Sequence, residues 1–182
     1  MDHSTTYQAP EILLSRYEID RRVAELAAEI MRDYHGHTLH LVGVLKGAWV
    51  FMADLIRHLD IDVTVDFLGI SSYGVGVQSS GEVKITKDLD VSIKERDVLI
   101  IEDILDTGRT LQYLEGVLAA HKPRTMRVAT LLDKRSRRIA PVKADYVGFE
   151  IADVFVVGYG LDFDQKYRQL PDIHVLHHTP PL

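Results

Sequence analysis

The chain has 182 residues, of which 46% are hydrophobic and 26% charged, and this composition is ordinary for one globular domain with its own core. The net charge of −6 gives no general attraction to nucleic acid, and the absence of cysteine excludes disulfides and thiolate metal sites. Because the N-terminus lacks an apolar core segment and no run approaches the length of a membrane span, we expect a cytoplasmic protein that does not bind membranes.

The chain opens with a polar arm that ends at Pro10 and is followed by a predicted helix. Ser15 and Glu18 have the spacing of a capping box, and apolar residues then recur at helical intervals up to about Tyr34. The first element is therefore predicted to be an amphipathic helix with its apolar face on the core.

A buried strand is predicted for residues 39–45, and a helix for residues 49–59. Between them, Lys46 and Gly47 stand at the carboxyl end of the strand, where an ammonium group and closely approaching backbone N–H groups can contact an anion. On these residues alone an ordinary helix start is an equal alternative.

A hairpin arm is predicted for the next part of the chain. Residues 61–71 read as a strand, and the polar, glycine-rich stretch up to Gly81 is too long for a tight hairpin. Val83, Ile85 and the segment near residues 89–93 are predicted to return as strand. Without further evidence, the arm that begins at Ser72 and Tyr73 reads as a surface loop with no function.

Residues 98–110, V-L-I-I-E-D-I-L-D-T-G-R-T, form the most informative stretch. Its apolar run predicts a strand covered on both faces of a parallel sheet, with Glu102 and Asp103 at the carboxyl end, where open α/β sheets bind ligands. The loop that follows lies at the N-terminus of a helix predicted for residues 110–121, which is a favourable position for an anion. That loop consists of Asp106, Thr107, Gly108, Arg109 and Thr110.

The acidic pair limits which phosphate ligand fits this loop. Two carboxylates repel a phosphate unless Mg²⁺ or sugar hydroxyls lie between them, and a phosphorylated sugar with Mg²⁺ satisfies both conditions. A P-loop fits worse, because the position of its first glycine is occupied by Asp103, and the chain has no G-x-G-x-x-G pattern. A buried strand followed by an ordinary acidic turn is the remaining alternative.

Another buried strand is predicted for residues 125–132, followed by a basic run. Lys134 stands at the strand's carboxyl end and is predicted to be the one basic residue that faces the ligand crevice. The rest of the run is predicted to be solvated surface, namely Arg135, Arg137, Arg138 and Lys143. Short strands are predicted for residues 146–151 and 173–176, and aromatic spacing alone favours a core position for Phe155.

Residues 98–110 resemble the phosphoribosyl pyrophosphate (PRPP) signature of the type I phosphoribosyltransferases. L-K-G-A at residues 45–48 resembles the pyrophosphate loop of the hypoxanthine-guanine phosphoribosyltransferases, with Ala48 where the family has glycine. S-S-Y-G at residues 71–74 resembles the active-site lid of the same family. This resemblance extends from the first helix to Arg168.

The resemblance implies an α/β fold in which a parallel sheet is flanked by helices. It implies one domain over residues 1–182, with a small hood built from the chain ends (about 1–15 and 150–182) and a protruding hairpin loop. The implied reaction transfers the phosphoribosyl group of PRPP to the 6-oxopurine hypoxanthine or guanine and requires Mg²⁺. Self-association as a homodimer or homotetramer is also implied.

The resemblance assigns most of the ligand contacts to matched positions. The metal and the ribose hydroxyls are assigned to Glu102 and Asp103, and a second Mg²⁺ beside the purine to Asp162. The 5′-phosphate is assigned to residues 106–110, and the pyrophosphate to Lys46, Gly47 and Arg168. Because the turn at Lys46 must direct successive groups at one pyrophosphate, we expect a cis or otherwise strained Leu45–Lys46 peptide bond.

The remaining roles concern the purine and the lid. Lys134 is expected to donate to the purine 6-oxygen, Phe155 to stack on the base and the Val156 backbone to contact the amide edge of the base. Ser72 and Tyr73 are expected to belong to the lid.

Asp106 distinguishes the possible relatives. Its carboxylate can accept the purine N7 proton during attack on the anomeric carbon and can stabilise positive charge on the ring. Adenine enzymes and RNA-binding pyrimidine regulators resemble the motif but lack this aspartate. An RNA-binding regulator that uses residues 134–143 and a sugar-phosphate or nucleotide kinase remain as alternatives.

Overall fold

The computed structural model describes residues 11–72 and 83–177, which form three α-helices, nine strands and one short 3-10 helix. In chain order these are β1 (Glu11–Leu14), α1 (Arg16–Asp33), β2 (Leu39–Leu45), α2 (Trp49–Arg57), β3 (Val63–Ser72), β4 (Val83–Lys87), β5 (Asp97–Leu105), α3 (Arg109–Ala120), β6 (Thr125–Asp133), the 3-10 helix (Arg135–Arg137), β7 (Tyr146–Glu150), β8 (Val156–Val157) and β9 (Ile173–Val175). The polar arm predicted for residues 1–10 lies outside the described residues.

A six-stranded sheet in the order β4-β3-β2-β5-β6-β7 organises the fold. The pairings from β3 to β7 are parallel, and β4 is antiparallel to β3. Successive strands proceed outwards in opposite directions from β2 and β5, so the strand order reverses between these two strands. Open α/β sheets bind their ligands beyond the carboxyl ends of the strands at such a reversal.

Two hydrophobic clusters cover the faces of this sheet. Leu99 and Ile101 pack with α1 and α2 on one face, whereas Val98 and Ile100 pack with α3 on the other. The continuous apolar run in β5 is therefore explained by alternate side chains that point into two separate cores. The capping box of Ser15 and Glu18 at the start of α1 is present as predicted.

The chain ends contribute a second, three-stranded antiparallel sheet in the order β1-β9-β8. Its first strand, at residues 11–14, was not predicted from the sequence. The backbone N–H of Arg16 donates to Asp172 Oδ1 at 2.7 Å and thereby joins the start of α1 to the segment before β9. This small sheet places Val156 in β8 beside the carboxyl end of the large sheet.

The strand predicted near residues 89–93 and the predicted end of α2 are wrong. The segment near residues 89–93 is not a strand, because the N–H groups of Asp90 and Val91 donate to the buried Asp66 carboxylate at 2.7 and 3.3 Å instead of to a ladder. Helix α2 ends at Arg57 rather than residue 59, since His58 and Leu59 bond to carbonyls three residues earlier. No described helix is long and apolar enough to cross a membrane.

Candidate active site

A polar cleft of about 370 Å³ lies where the strand order reverses. One wall comes from the end of β2 with Lys46 and Gly47, and the other from the end of β5 and the loop that leads into α3. Two parallel strands thus bring together segments that are more than 50 residues apart in the chain. The predicted pyrophosphate loop and the PRPP signature share one cleft.

Glu102 and Asp103 lie at the bottom of this cleft within β5, which extends further than predicted, to Leu105. Glu102 is buried, and its Oε1 has no hydrogen-bond partner among the described residues. Burial, with a smaller effect of the Asp103 charge, raises the pKa of Glu102 well above its usual value. Burial also raises the pKa of Asp103 to about 6, although the Ile104 N–H donates to its Oδ1 at 2.9 Å. A buried carboxylate beside a half-buried one has the chemistry expected for binding a hard cation.

Gly47 lies directly against Asp103 of this acidic pair. A Cβ atom at Gly47 would lie 1.5 Å from Asp103 Oδ2, so only glycine fits there. The carbonyl oxygen of Gly47 would in turn lie 2.4 Å from a Cβ at Gly160, which has a φ of +98°. The Leu45–Lys46 peptide bond is cis, as predicted. The turn after β2 is therefore enclosed by backbone and carboxylate atoms on two sides.

The loop before α3 has the geometry expected of an anion site. Gly108 is the N-cap residue of α3 with a φ of +82°, which glycine adopts without strain. A Cβ at this position would lie within 3 Å of the Val142 and Arg138 side chains. The Thr107 carbonyl accepts from the N–H groups of Ile139 and Ala140 at 2.9 and 3.0 Å. The loop is thus fixed from behind, while the first-turn N–H groups of α3 have no acceptor within the helix.

Asp106 stands at the entrance of this loop and is 40% exposed. Its Oδ1 accepts from Arg137 Nε at 3.0 Å, and its carbonyl oxygen accepts from Arg138 Nε at the same distance. Arg138 also donates to the Leu105 carbonyl and to the buried Asp133 carboxylate. Neither arginine lines the cleft, and the prediction that the rest of the basic run is solvated surface is wrong for Arg138, whose side chain is only 16% exposed.

The residues assigned to the purine are Lys134, Phe155 and Val156. Lys134 is buried, with its Nζ 3.9 Å from Asp153 Oδ1. Phe155 is 43% exposed and packs edge-on against Phe163, with ring centroids 5.6 Å apart. The core position favoured by aromatic spacing is therefore wrong, because the Phe155 ring is partly exposed. Val156 is buried in β8, opposite Val175.

Lys46 and Arg168 are connected through Gln165. Both Lys46 Nζ and Arg168 Nη2 donate to the amide oxygen of Gln165, at 3.1 and 3.3 Å. Arg168 also pairs with Asp162 at 2.8 Å and donates to the Gly160 carbonyl at 2.7 Å. Within residues 11–72 and 83–177, no three acidic or histidine side chains converge on one point, so Asp162 does not complete a cluster with Glu102 and Asp103.

Comparison with known proteins identifies the family. The phosphoribosyl transferase domain matches residues 11–164. A hypoxanthine-guanine phosphoribosyltransferase of Bacillus subtilis is 53% identical over 166 residues, which cover 91% of this chain and 92% of that protein. The chain belongs to this phosphoribosyltransferase family.

Solved structures agree with this assignment. A Bacillus anthracis hypoxanthine-guanine phosphoribosyltransferase superposes with a TM-score of 0.88 at 46% identity, covering 93% of this chain and 99% of that one. A hypoxanthine phosphoribosyltransferase of Staphylococcus aureus gives a TM-score of 0.87 at 49% identity, with 91% and 90% covered. The phosphoribosyltransferase fold predicted from the sequence is confirmed, and the chain is an enzyme, a glycosyltransferase of purine salvage.

Sequence reasoning missed several residues of this phosphoribosyltransferase site. Gln165 lies in a polar turn with a φ of +62°, and its contact with Lys46 spans 119 residues, so no local pattern could reveal it. Arg137 and Asp153 read as ordinary surface charges. Of the two lid residues, Tyr73 lies outside the described residues, and Ser72 is the last residue of β3, opposite Val83.

Proposed function

We propose that this enzyme transfers the phosphoribosyl group of PRPP to hypoxanthine or guanine and forms IMP or GMP and pyrophosphate. The observation that carries the proposal is the close fit of Asp103, next to the buried Glu102, against Gly47 in a cleft that also contains the loop before α3. This arrangement provides a cation site between two anion sites, as the charge distribution of PRPP requires. The similar proteins of Bacillus subtilis and Bacillus anthracis are named for the same two bases, hypoxanthine and guanine.

The proposed reaction makes a bond from a purine nitrogen to the anomeric carbon while the bond to pyrophosphate breaks. The 5′-phosphate is bound by the loop of residues 106–110, through its backbone N–H groups and the hydroxyls of Thr107 and Thr110. Gly108 and Arg109 belong to the same loop. Lys46, Gly47 and Arg168 bind the pyrophosphate. Asp106 accepts the N7 proton and stabilises positive charge on the base and ribose.

The purine is held by three groups in the proposed complex. Lys134 donates to the 6-oxygen, Phe155 stacks with its exposed face, and the backbone of Val156 contacts the amide edge. The burial of the Lys134 side chain supports this role, because a charged donor in a dry site discriminates strongly between a carbonyl and an amino group.

Mg²⁺ fits the acidic pair. Oε1 of Glu102 has no hydrogen-bond partner among the described residues, and the pKa values of both carboxylates are raised, as expected where a cation would balance their charge. Glu102 and Asp103 would hold one Mg²⁺ and Asp162 a second. When bound, Mg²⁺ neutralises charge on the pyrophosphate leaving group.

The test is to incubate the protein with PRPP, Mg²⁺ and one nucleobase at a time and to measure pyrophosphate release. We expect release with hypoxanthine or guanine and none with adenine or uracil. Release with uracil alone, or with no base, would overturn the proposal. An RNA-binding regulator is not supported, because Arg137 and Arg138 of the basic run are paired with acidic groups of the chain itself.

The proposal extends to organisation and location. We propose one domain over residues 1–182, with the chain ends as a hood over the base. We also propose a cytoplasmic enzyme, since a multiply charged substrate does not cross a bilayer.

We further propose that the enzyme is a homodimer or homotetramer. Its candidate surface is an apolar cleft of about 680 Å³ beside Tyr17 and Trp49, which are 72% and 49% exposed. Sedimentation at several protein concentrations tests the self-association.

A further inference from the structure

Arg137 joins two carboxylates that come from different loops. Its Nε donates to Asp106 Oδ1 at 3.0 Å, and its Nη1 donates to Asp153 Oδ2 at 3.3 Å. Asp106 follows β5, whereas Asp153 lies between β7 and β8. One guanidinium group therefore connects the loop of the proposed base with the segment that carries Phe155 and Val156.

The connection continues to the proposed purine contact. The second oxygen of Asp153 lies 3.9 Å from Lys134 Nζ. Asp106, Arg137, Asp153 and Lys134 thus form a row of alternating charges with no net charge. Because each member has an oppositely charged neighbour, a change in the position of one alters the position of the next.

Only one oxygen of Asp106 is occupied by this row. Its Oδ1 is held by Arg137, whereas Oδ2 has no hydrogen-bond partner among residues 11–72 and 83–177. A carboxylate held at one oxygen cannot rotate freely about χ2, so the other oxygen keeps one direction. That is the arrangement a general base needs, since proton transfer requires a defined donor–acceptor geometry.

The backbone from which the Arg137 side chain extends is itself held in place. Its neighbour Arg138 donates to the carbonyls of Leu105, Asp106 and Val142 and to the buried Asp133 carboxylate. Arg137 is the last residue of the 3-10 helix, so its backbone is fixed at the point where β6 ends. The arginine therefore extends from a rigid support and not from a free loop.

We propose that Arg137 is a positioning residue that orients the Asp106 carboxylate for proton transfer and couples it, through Asp153, to the purine contact of Lys134. This inference rests on the proposed function. It assigns a role in the reaction to a residue whose sequence context predicts only solvated surface. Arg137 does not contact the reacting atoms and acts through Asp106.

A merely structural ion pair predicts a different outcome. Arg137, Asp106 and Asp153 are 44%, 40% and 52% exposed, and exposed pairs contribute little to folding stability. Arg137→Ala should therefore shift Tm by less than about 3 °C. Its kcat should nevertheless fall by about 10-fold, because the base loses its orientation, while the KM for PRPP should stay within about 2-fold.

Arg135→Ala is the matched control. Arg135 starts the same 3-10 helix and is 65% exposed, but it pairs with Asp133 and Glu150 rather than with Asp106. The control removes the same charge from the same short helix. The kcat of Arg135→Ala should remain within about 2-fold of that of the parent enzyme, because Arg135 does not contact the proposed general base, Asp106.

A double-mutant cycle with Asp106→Asn gives the deciding measurement. If Arg137 acts through the Asp106 carboxylate, then Arg137→Ala should lower kcat in the parent enzyme but produce no further decrease in the Asp106→Asn enzyme. Equal decreases in both backgrounds, or an unchanged kcat for Arg137→Ala in an active parent, would overturn the inference. A parent enzyme that releases no pyrophosphate with either 6-oxopurine would instead contradict the proposed function.

Discussion

The carboxylate of Asp103 occupies the space that a side chain at Gly47 would require, with Oδ2 1.5 Å from the position of a Cβ atom. A residue at the end of β2 and a residue within β5 thus fit together without a gap. Any enlargement at Gly47 must displace either the turn or the carboxylate, because two non-bonded atoms cannot lie 1.5 Å apart.

Gly47→Ala should therefore reduce kcat/KM by about 10²-fold or more, because a displacement of about 1 Å in the site has an effect of that size. Steady-state kinetics with saturating hypoxanthine measures the change. Gly116→Ala is the matched control, since Gly116 lies exposed on α3 with nothing within 4 Å of an added Cβ. The control should keep full activity and gain about 0.5–1 kcal/mol in free energy of unfolding. Equal activity of the two variants would contradict the prediction.

Asp106→Asn preserves the shape of the side chain and removes its charge. We expect kcat to fall by about 10²-fold or more, because an amide cannot accept the purine proton. Binding of PRPP, measured by calorimetry, should change little, since the phosphate contacts proposed for the loop come mainly from backbone N–H groups. Unchanged turnover would exclude Asp106 as the base.

Lys134→Ala should weaken the binding of hypoxanthine and guanine by about 1.5–3 kcal/mol, the range for a hydrogen bond to a charged group. Calorimetric titration of the base into the enzyme with PRPP analogue and Mg²⁺ measures this loss. Lys143→Ala removes an exposed lysine from the same basic run and should leave binding unchanged. If the variant at residue 134 still prefers 6-oxopurines to adenine, the assignment is wrong.

His40 predicts a pH-dependent loss of stability. The ring is buried in β2, Nδ1 lies 2.7 Å from Thr64 Oγ1, and Nε2 has no partner among the described residues. Burial, with a smaller effect of the Arg96 charge, lowers the pKa of His40 below its ordinary value of 6.5. The unfolded chain therefore takes up a proton at a higher pH than the folded protein. The contribution of His40 to stability is complete above about pH 6.5 and is lost as the pH falls below it.

Urea unfolding of the parent protein and of His40→Gln at pH 8 and pH 5.5 tests this expectation. The comparison between variants is necessary because Asp103, with its raised pKa, changes stability in the opposite direction over the same range. The free energy of unfolding should decrease less on acidification in His40→Gln than in the parent. Identical decreases would show that His40 does not titrate differently on folding.

Elements with a clear local sequence signal were predicted correctly, whereas features that depend on residues far away in the chain were missed. The apolar run of β5 and the capping box of α1 are local signals, and both elements are present. The strand expected near residues 89–93 is absent because the Asp66 carboxylate, far away in the chain, accepts its backbone N–H groups. A residue whose partner is set by the tertiary fold cannot be read from its own neighbourhood.

The same distinction holds within the site. The loop of residues 106–110 follows a recognisable pattern, and Lys134 is placed by the end of a strand. Arg137 lies three residues further on in a basic run, and nothing in that run distinguishes it from Arg135. Only the position of Asp106 relative to the 3-10 helix separates the two arginines. Sequence patterns therefore do not reveal which charged side chains of different loops pair with each other.

The antiparallel pairing of β1 with β9 has a consequence for synthesis on the ribosome. All six strands of the large sheet have been translated once residue 150 is made, so the cleft between β2 and β5 has its strands by then. Strand β1 must wait for residues 173–175 before it can pair, and β8 pairs with the same late strand. The nascent chain can therefore assemble the part proposed to hold a sugar phosphate well before the part proposed to hold the base.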